Sequence, residues 1–245
     1  MKANRARVFL VLCFVFFLSS SVYGNFRPFN KGEKLIFSVE YGPLKAGTAI
    51  MEVSEIVDID SITCFHIVSI EKTNSFFNKM YKIDDRYDSY VDTLNLYSVR
   101  FEKHIREGSY EKDQIVEFKQ DSGKVIYSDS TEYEIKEGAK DIIASIYFAR
   151  TLDLEVGNSC FINNHTDGKN YNLEIKVLKR EKVETAAGEF ECLVIQPVIK
   201  GGKIFASRDG LTIWLTDDIW KIPVLIRSKI MIGSIQAILK EAYFE

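Results

Sequence analysis

The sequence predicts a mainly β protein: a large curved antiparallel sheet, either a half-barrel or two packed sheets, with one central amphipathic helix. Three observations carry this. Apolar and polar residues alternate strictly over several stretches of six to eight residues, the mark of half-buried antiparallel strands. Turn dipeptides fall between those stretches. A single segment, 139–152, departs from period two and takes up the helical period.

The first 24 residues read as a cleaved export signal. Lys2, Arg5 and Arg7 form a basic start, Val8 to Leu18 is an uninterrupted apolar run, and Val22 and Gly24 suit a signal-peptidase site before Asn25. Such a run makes about 17 Å of helix, well short of a bilayer. Cys13 follows Leu12 and the apolar run continues past it, which is not the place of a lipid-bearing cysteine. No later stretch holds 18 consecutive apolar residues. The expectation is export to the periplasm, one domain over 25–245, and no integral membrane protein after cleavage.

The strands follow in order. Leu35, Phe37, Val39 and Tyr41 alternate with Lys34, Ile36, Ser38 and Glu40, and Gly42-Pro43 turns the chain. Ile62–Ile67 and Asp84–Asp92 read as further strands, with Asp88, Tyr90 and Asp92 on one face. Arg100–Gly108 places Arg100, Glu102, His104 and Arg106 on one face and Phe101, Lys103, Ile105 and Glu107 on the other. The helix at 139–152 has Ile142, Ile143, Ile146 and Tyr147 at helical spacing, with Asp141 in its first turn and Arg150 in its last, both favourable to the helix dipole. Leu173, Ile175 and Val177, then Leu211, Ile213 and Leu215, restore period two, with turns at Asp167-Gly168, Ala187-Gly188 and Asp209-Gly210. The stretches 32–128 and 156–244 read as two weak copies of one plan. Roughly a dozen strands in one sheet curl strongly or split into two packed sheets.

Composition narrows the function. Across 245 residues, 46 % hydrophobic and 27 % charged content is ordinary globular usage and excludes disorder. A formal charge of −3 argues against general nucleic-acid binding, which needs a basic face. Cys64, Cys160 and Cys192 sit in strand-like contexts. They read as buried small hydrophobes, with one disulfide plus a free thiol as the alternative. His66, His104 and His165 lack metal-ligand spacing. Ser109–Lys112 matches SxxK but lies in a hairpin, and no nucleophile elbow, P-loop or dinucleotide motif occurs. The sequence therefore calls for no cofactor and no metal. Two features remain as candidate ligand surface: the aromatic-apolar positions Tyr90, Ile213, Trp214 and Leu215 as lining of a concave face, and the charged positions Arg100, His104 and Arg106.

Three strings carry a resemblance. Gly32–Leu35 with Tyr41–Gly47, Arg100–Gly108, and Leu211–Asp218 with Ile222–Val224 together resemble the exported bacterial family of unknown function DUF3108, which supplies no catalytic residues. More loosely, Trp214–Lys229 is similar to LolA-like envelope proteins, half-open barrels that shelter lipid or lipoprotein acyl chains. That resemblance implies a lipid or lipoprotein ligand. The leading expectation is a non-enzymatic envelope protein that binds an apolar or amphipathic ligand in the concavity. The alternatives are a module that binds an envelope protein partner and a hydrolase of cell-wall glycan using paired carboxylates.

Overall fold

The computed structural model describes residues 27–199, 210–230 and 233–244. The proposed signal, with Cys13, lies outside them. Among the described residues, fourteen strands form one sheet, and the single α-helix interrupts their order. Strands β1 (Lys34–Tyr41), β2 (Leu44–Ile59), β3 (Ile62–Thr73), β4 (Asp84–Asp92), β5 (Ser98–Glu107), β6 (Tyr110–Lys119), β7 (Lys124–Tyr127) and β8 (Glu132–Glu134) run as a meander away from β1. After helix α1 (Ile142–Thr151), strands β9 (Ser159–Thr166), β10 (Lys169–Thr185), β11 (Gly188–Ile199), β12 (Leu211–Thr216), β13 (Pro223–Lys229) and β14 (Ser234–Tyr243) return from the far side, and β14 pairs with β1. Every ladder is antiparallel between neighbours. The sheet is thus one continuous wall, not two.

The wall bends because its ladders are broken by bulges. Register slips occur at Ile36/Phe37, Val39/Glu40, Val53/Glu55, Tyr90/Val91, Val177/Lys179 and Trp214/Leu215. Each extra residue kinks its strand and raises the local twist, and twist accumulated over so many strands rolls the sheet up. The two end strands, β8 and β9, do not pair with each other. Side chains span the seam instead. Tyr127 Oη lies 2.9 Å from His165 Nε2 and accepts from the Gly168 amide at 2.8 Å. Lys103 meets Asp167 at 2.7 Å, and Asn170 donates to the Glu134 carbonyl at 2.6 Å. One parallel bridge, Lys140 to Asn164, adds backbone bonds.

The concave face holds most of the core. Leu35, Phe37, Met51, Val53, Phe65, Ile67, Val91 and Phe101 surround Ile143, Ala144 and Tyr147 of α1. Ile162, Leu173, Ile175, Leu193, Ile195, Ile213 and Leu215 pack around Ala149 and Leu154. A smaller cluster on the convex face joins Trp214, Cys192, Val194, Val224 and Leu225, with Val183, Phe190 and Ile238 against it. There the long β10–β11 hairpin curls over the outer side, so that β10 approaches β13 and β14.

Helix α1 lies across the interior and is tied at both ends. Asp141 is its N-cap rather than a first-turn residue: its carboxylate accepts from the Ala144 amide at 2.9 Å and from the hydroxyls of Ser89 (2.7 Å) and Ser98 (2.5 Å). At the other end, Arg150 is buried and forks onto Glu33 with bonds of 2.6 and 2.7 Å. Its remaining donors reach the Pro28 and Trp220 carbonyls. The segment before β1 and the β12–β13 turn thereby close that end of the wall over Phe29, Tyr147 and Phe65.

Candidate functional site

At the opposite end the helix leaves the hollow partly empty. Strand parity decides what lines it. On β1 the inward positions are Phe37 and Val39; on β2, Ala49 and Met51; on β13 and β14, Ile226, Ala237 and Ile235. With Ile143 and Ile146 of α1 they line a cavity of about 280 Å³. A second, tighter hollow of about 60 Å³ sits on the other flank of Ile146, lined by Ile142, Ala149, Leu173, Ile175, Ile195, Leu211, Ile213 and Leu215. The two share Ile146. The first is near the lower bound of ordinary small-molecule sites, about 300–1,000 Å³.

Polar groups enter the larger cavity at three lining positions, Ser69, Glu71 and Ser228. Glu71 projects inward from β3 because it keeps the parity of Phe65, Ile67 and Ser69. Burial drives its carboxyl up to about 7, and the nearby Asp85 and Glu107 charges add to this; a 2.6 Å bond from Ser69 Oγ opposes it. Asp85 accepts from the Arg106 amide at 2.7 Å. The site is therefore an apolar pocket with one carboxyl group poised near neutrality at its wall.

Other hollows have different walls. A groove of about 600 Å³ runs between Ala186 and the outer face of β1, β2 and β14, with Lys45, Lys72, Glu40 and Lys240 among its walls. A crevice of about 370 Å³ beside the β2–β3 turn is walled by Asp60, Arg100, Glu117, Lys119 and Asp121. At the closed end, a hollow of about 350 Å³ is flanked by Phe29, Trp220, Ile222 and Phe244. The cavity above α1 is smaller than these, but its lining is almost wholly apolar and it lies on the inner face, against the helix.

The residues singled out from the sequence divide between the two faces. Ile213 and Leu215 face inward and line the smaller hollow. Trp214 and Tyr90 do not line the concavity, which corrects the expectation: in a strand, the residue between two inward neighbours must point outward. Trp214 packs in the convex-face cluster, donates to Glu181 at 3.0 Å and lies under the Arg227 guanidinium. Tyr90 stacks on His66 with ring centres 4.5 Å apart. Arg100, His104 and Arg106 share that outer face. Arg100 pairs with Glu102 at 2.8 Å, while His104 and Arg106 both meet Asp113 at 2.8 Å. The structure does not bring them to the cavity.

The outer face has its own ordered network. His66 Nε2 lies 2.7 Å from Asp88, which also takes a two-pronged contact from Arg86. Burial would raise the Asp88 carboxyl, but the bonds from His66 and Arg86 outweigh it and hold the group down to about 2. Cys64 and Cys192 are buried, Cys160 is half-buried, and all three are free thiols. Sequence reading missed Glu71 and Glu33, and took Arg150 only as a last-turn cation of the helix. Glu71 carried a readable signal, a charged residue at an inward position of β3; the Arg150–Glu33 pair, drawn from distant parts of the chain, carried none.

The family described as "Protein of unknown function (DUF3108)" matches residues 36–240. Comparison with curated proteins finds no match. Among solved structures, the chain is similar to the β-barrel-like protein of domain DUF1849 from Brucella abortus, with TM-score 0.56 and 10 % identity, covering 88 % of this chain and 98 % of that one. A DUF1089 family protein from Pseudomonas aeruginosa aligns with TM-score 0.34 and 9 % identity over 90 % of this chain and 95 % of that one. A Bacteroides fragilis protein with a YmcC-like fold aligns with TM-score 0.30 and 12 % identity over 89 % and 98 %. The first likeness supports the rolled-sheet fold; the other two superpose too loosely to add to it.

Proposed function

The chain belongs to the DUF3108 family, and from that footing we propose that it is an exported envelope protein that binds an apolar or amphipathic ligand, without catalysis, in the cavity above α1. The observation that supports this reading is the lining. Phe37, Val39, Met51, Ile143, Ile146, Ile226 and Ile235 surround space that the helix does not fill. Native interiors are close-packed, with few voids larger than a water molecule. An unfilled apolar hollow forfeits dispersion contacts that a ligand chain restores. Each methylene placed there gains about 0.8 kcal/mol, so two further carbons tighten binding on the order of tenfold until the hollow is full. Glu71, Ser69 and Ser228 would meet the polar end of an amphipathic ligand. No described helix is long and apolar enough to cross a membrane, which fits a protein working beside the membrane with a strand-built pocket.

The test is the protein purified from its own envelope fraction. Native mass spectrometry and organic extraction are expected to show a co-purifying lipid or acyl chain, with delipidated protein regaining saturable binding of an environment-sensitive apolar dye. A ligand-free protein that gives no saturable dye binding would reject the proposal.

A further inference from the structure

We infer that the loop at residues 74–82, with the adjoining Leu44-Lys45 corner, is a docking element that sets the cavity mouth against an anionic lipid surface. Docking serves the ligand-binding role proposed above and rests on it for its purpose, but the contact with lipid is measurable by itself.

The loop joins β3 to β4 and carries Phe76, Phe77, Lys79, Met80, Tyr81 and Lys82, with no acidic residue between Asn74 and Ile83. On a chain whose net charge is negative, it is a local basic segment. Its large apolar side chains face solvent: Phe76 is 64 % exposed, Met80 73 % and Tyr81 51 %. Leu44, at 53 %, extends the patch.

This exposure is built rather than incidental. Asn74 donates to the Lys45 carbonyl at 2.6 Å and accepts from the amides of Phe76 and Phe77, both at 3.0 Å. Thr73 Oγ1 bonds to Asn78 and accepts from the Ile83 amide. These bonds hold a single turn of 3₁₀ helix, Phe77–Lys79, and fix the corner to β1–β2. Tyr81 packs on the Gly108 turn and reaches Glu107. Ordering such a loop while leaving phenylalanine and methionine in water has no folding benefit, since burial is what makes those side chains stabilising.

Position and charge select the occupant. The loop follows Thr73, two residues beyond the cavity-lining Glu71, and Val39 of the same cavity lies two residues before the β1–β2 turn. The patch therefore sits beside the mouth. It is a set of projecting tips: Phe76, Met80 and Tyr81 line none of the hollows described above, including the groove that begins at Lys45 and Asn74. Apolar tips that enter an interface, ringed by lysines that meet lipid phosphates, are the pattern of interfacial membrane binding. Lys45 and Lys79 supply the charge, with Lys82 sharing Asp84 with Lys72, which holds it more closely at 3.0 Å. Asp84 also approaches Lys82, at 3.9 Å.

The experiment is co-sedimentation of the mature protein with vesicles of phosphatidylcholine alone and of phosphatidylcholine with phosphatidylglycerol. The expected result is retention on the anionic vesicles, weaker on the neutral ones and reduced in high salt. Phe76→Ser with Met80→Ser is expected to lower retention at least tenfold, and Lys79→Glu with Lys82→Glu to remove the preference for anionic lipid. Apolar-dye binding in the absence of vesicles, unchanged in these variants, shows that the fold and cavity persist. Variants that sediment like the parent, or a parent that binds neither vesicle, would overturn the docking element while leaving the cavity reading to its own test. Concentration-dependent dimerisation lost in the Phe76/Met80 variant, without vesicle binding, would overturn it in favour of self-association.

Discussion

Glu71 shows how one side chain on the wrong side of a strand changes the physics of a hollow. Its carboxyl is held up to about 7, so folding takes up a proton that the unfolded chain releases near its ordinary value of 4.5. The resulting stability is present below about pH 4.5 and is lost as pH rises through 7. Glu71→Gln removes that loss. The variant is expected to gain roughly 1–2 kcal/mol over the parent at pH 8, after allowing for partial exposure, and little at pH 4.5; parallel urea melts at the two pH values measure it. The cysteines are a second test at this scale. Burial, aided by acidic neighbours, pushes the Cys64 and Cys192 thiols up to about 12, whereas Cys160 is half-buried. In folded protein prepared without residues 1–24, a chromogenic disulfide reagent is expected to modify Cys160 first, and all three remaining thiols in denaturant. Their free state follows the reading of them as small hydrophobes rather than a bridged pair. The lining, by contrast, was only half legible. Alternation puts Ile213 and Leu215 on one face of β12 and Trp214 on the other, and the structure keeps that parity, Ile213 and Leu215 inward and Trp214 outward, so naming all three together as lining could not hold.

Helix α1 was legible as an element: the period change placed it at 139–152, and it spans Ile142–Thr151. What anchors it was not, because Arg150 and Glu33 stand 117 residues apart, with the whole β1–β8 arm between them. The pair is buried and every guanidinium nitrogen is bonded. Breaking one side leaves a buried charge alone, which costs about 3–5 kcal/mol. Arg150→Met is expected to lose that much in chemical denaturation. The double variant with Glu33→Leu is expected to recover a large part, since apolar replacement of both partners is often neutral. The seam is the second element-scale device. A Cβ on Gly168 would stand 2.8 Å from the Tyr133 ring, and this glycine has φ +72°, so Gly168→Ala strains the turn and pushes apart the edges that Tyr127 and His165 hold. A loss of about 1–3 kcal/mol is expected, with faster amide exchange of β8 and β9 than of β1 and β2.

For the whole molecule, alternation and turn chemistry made the β wall readable, and with it the expectation of strong curvature. Whether that wall was one sheet or two turned on β14 finding β1, a pairing between the chain's distant ends that no local pattern encodes. Curvature itself came from bulges, which interrupt the very period that reveals strands. The remaining claim is that the hollow above α1 is a ligand site rather than a packing defect. Ala237 lines it opposite Ile146, and Ala237→Phe fills it from the wall. The direct measurement is calorimetric titration of delipidated protein with alkyl-chain ligands of increasing length, for the parent and for Ala237→Phe. The expected result is saturable binding to the parent that tightens with each added pair of carbons and then levels, and its loss in a variant that remains folded by circular dichroism. Heats that never saturate, or equal affinity in the filled variant, would contradict it.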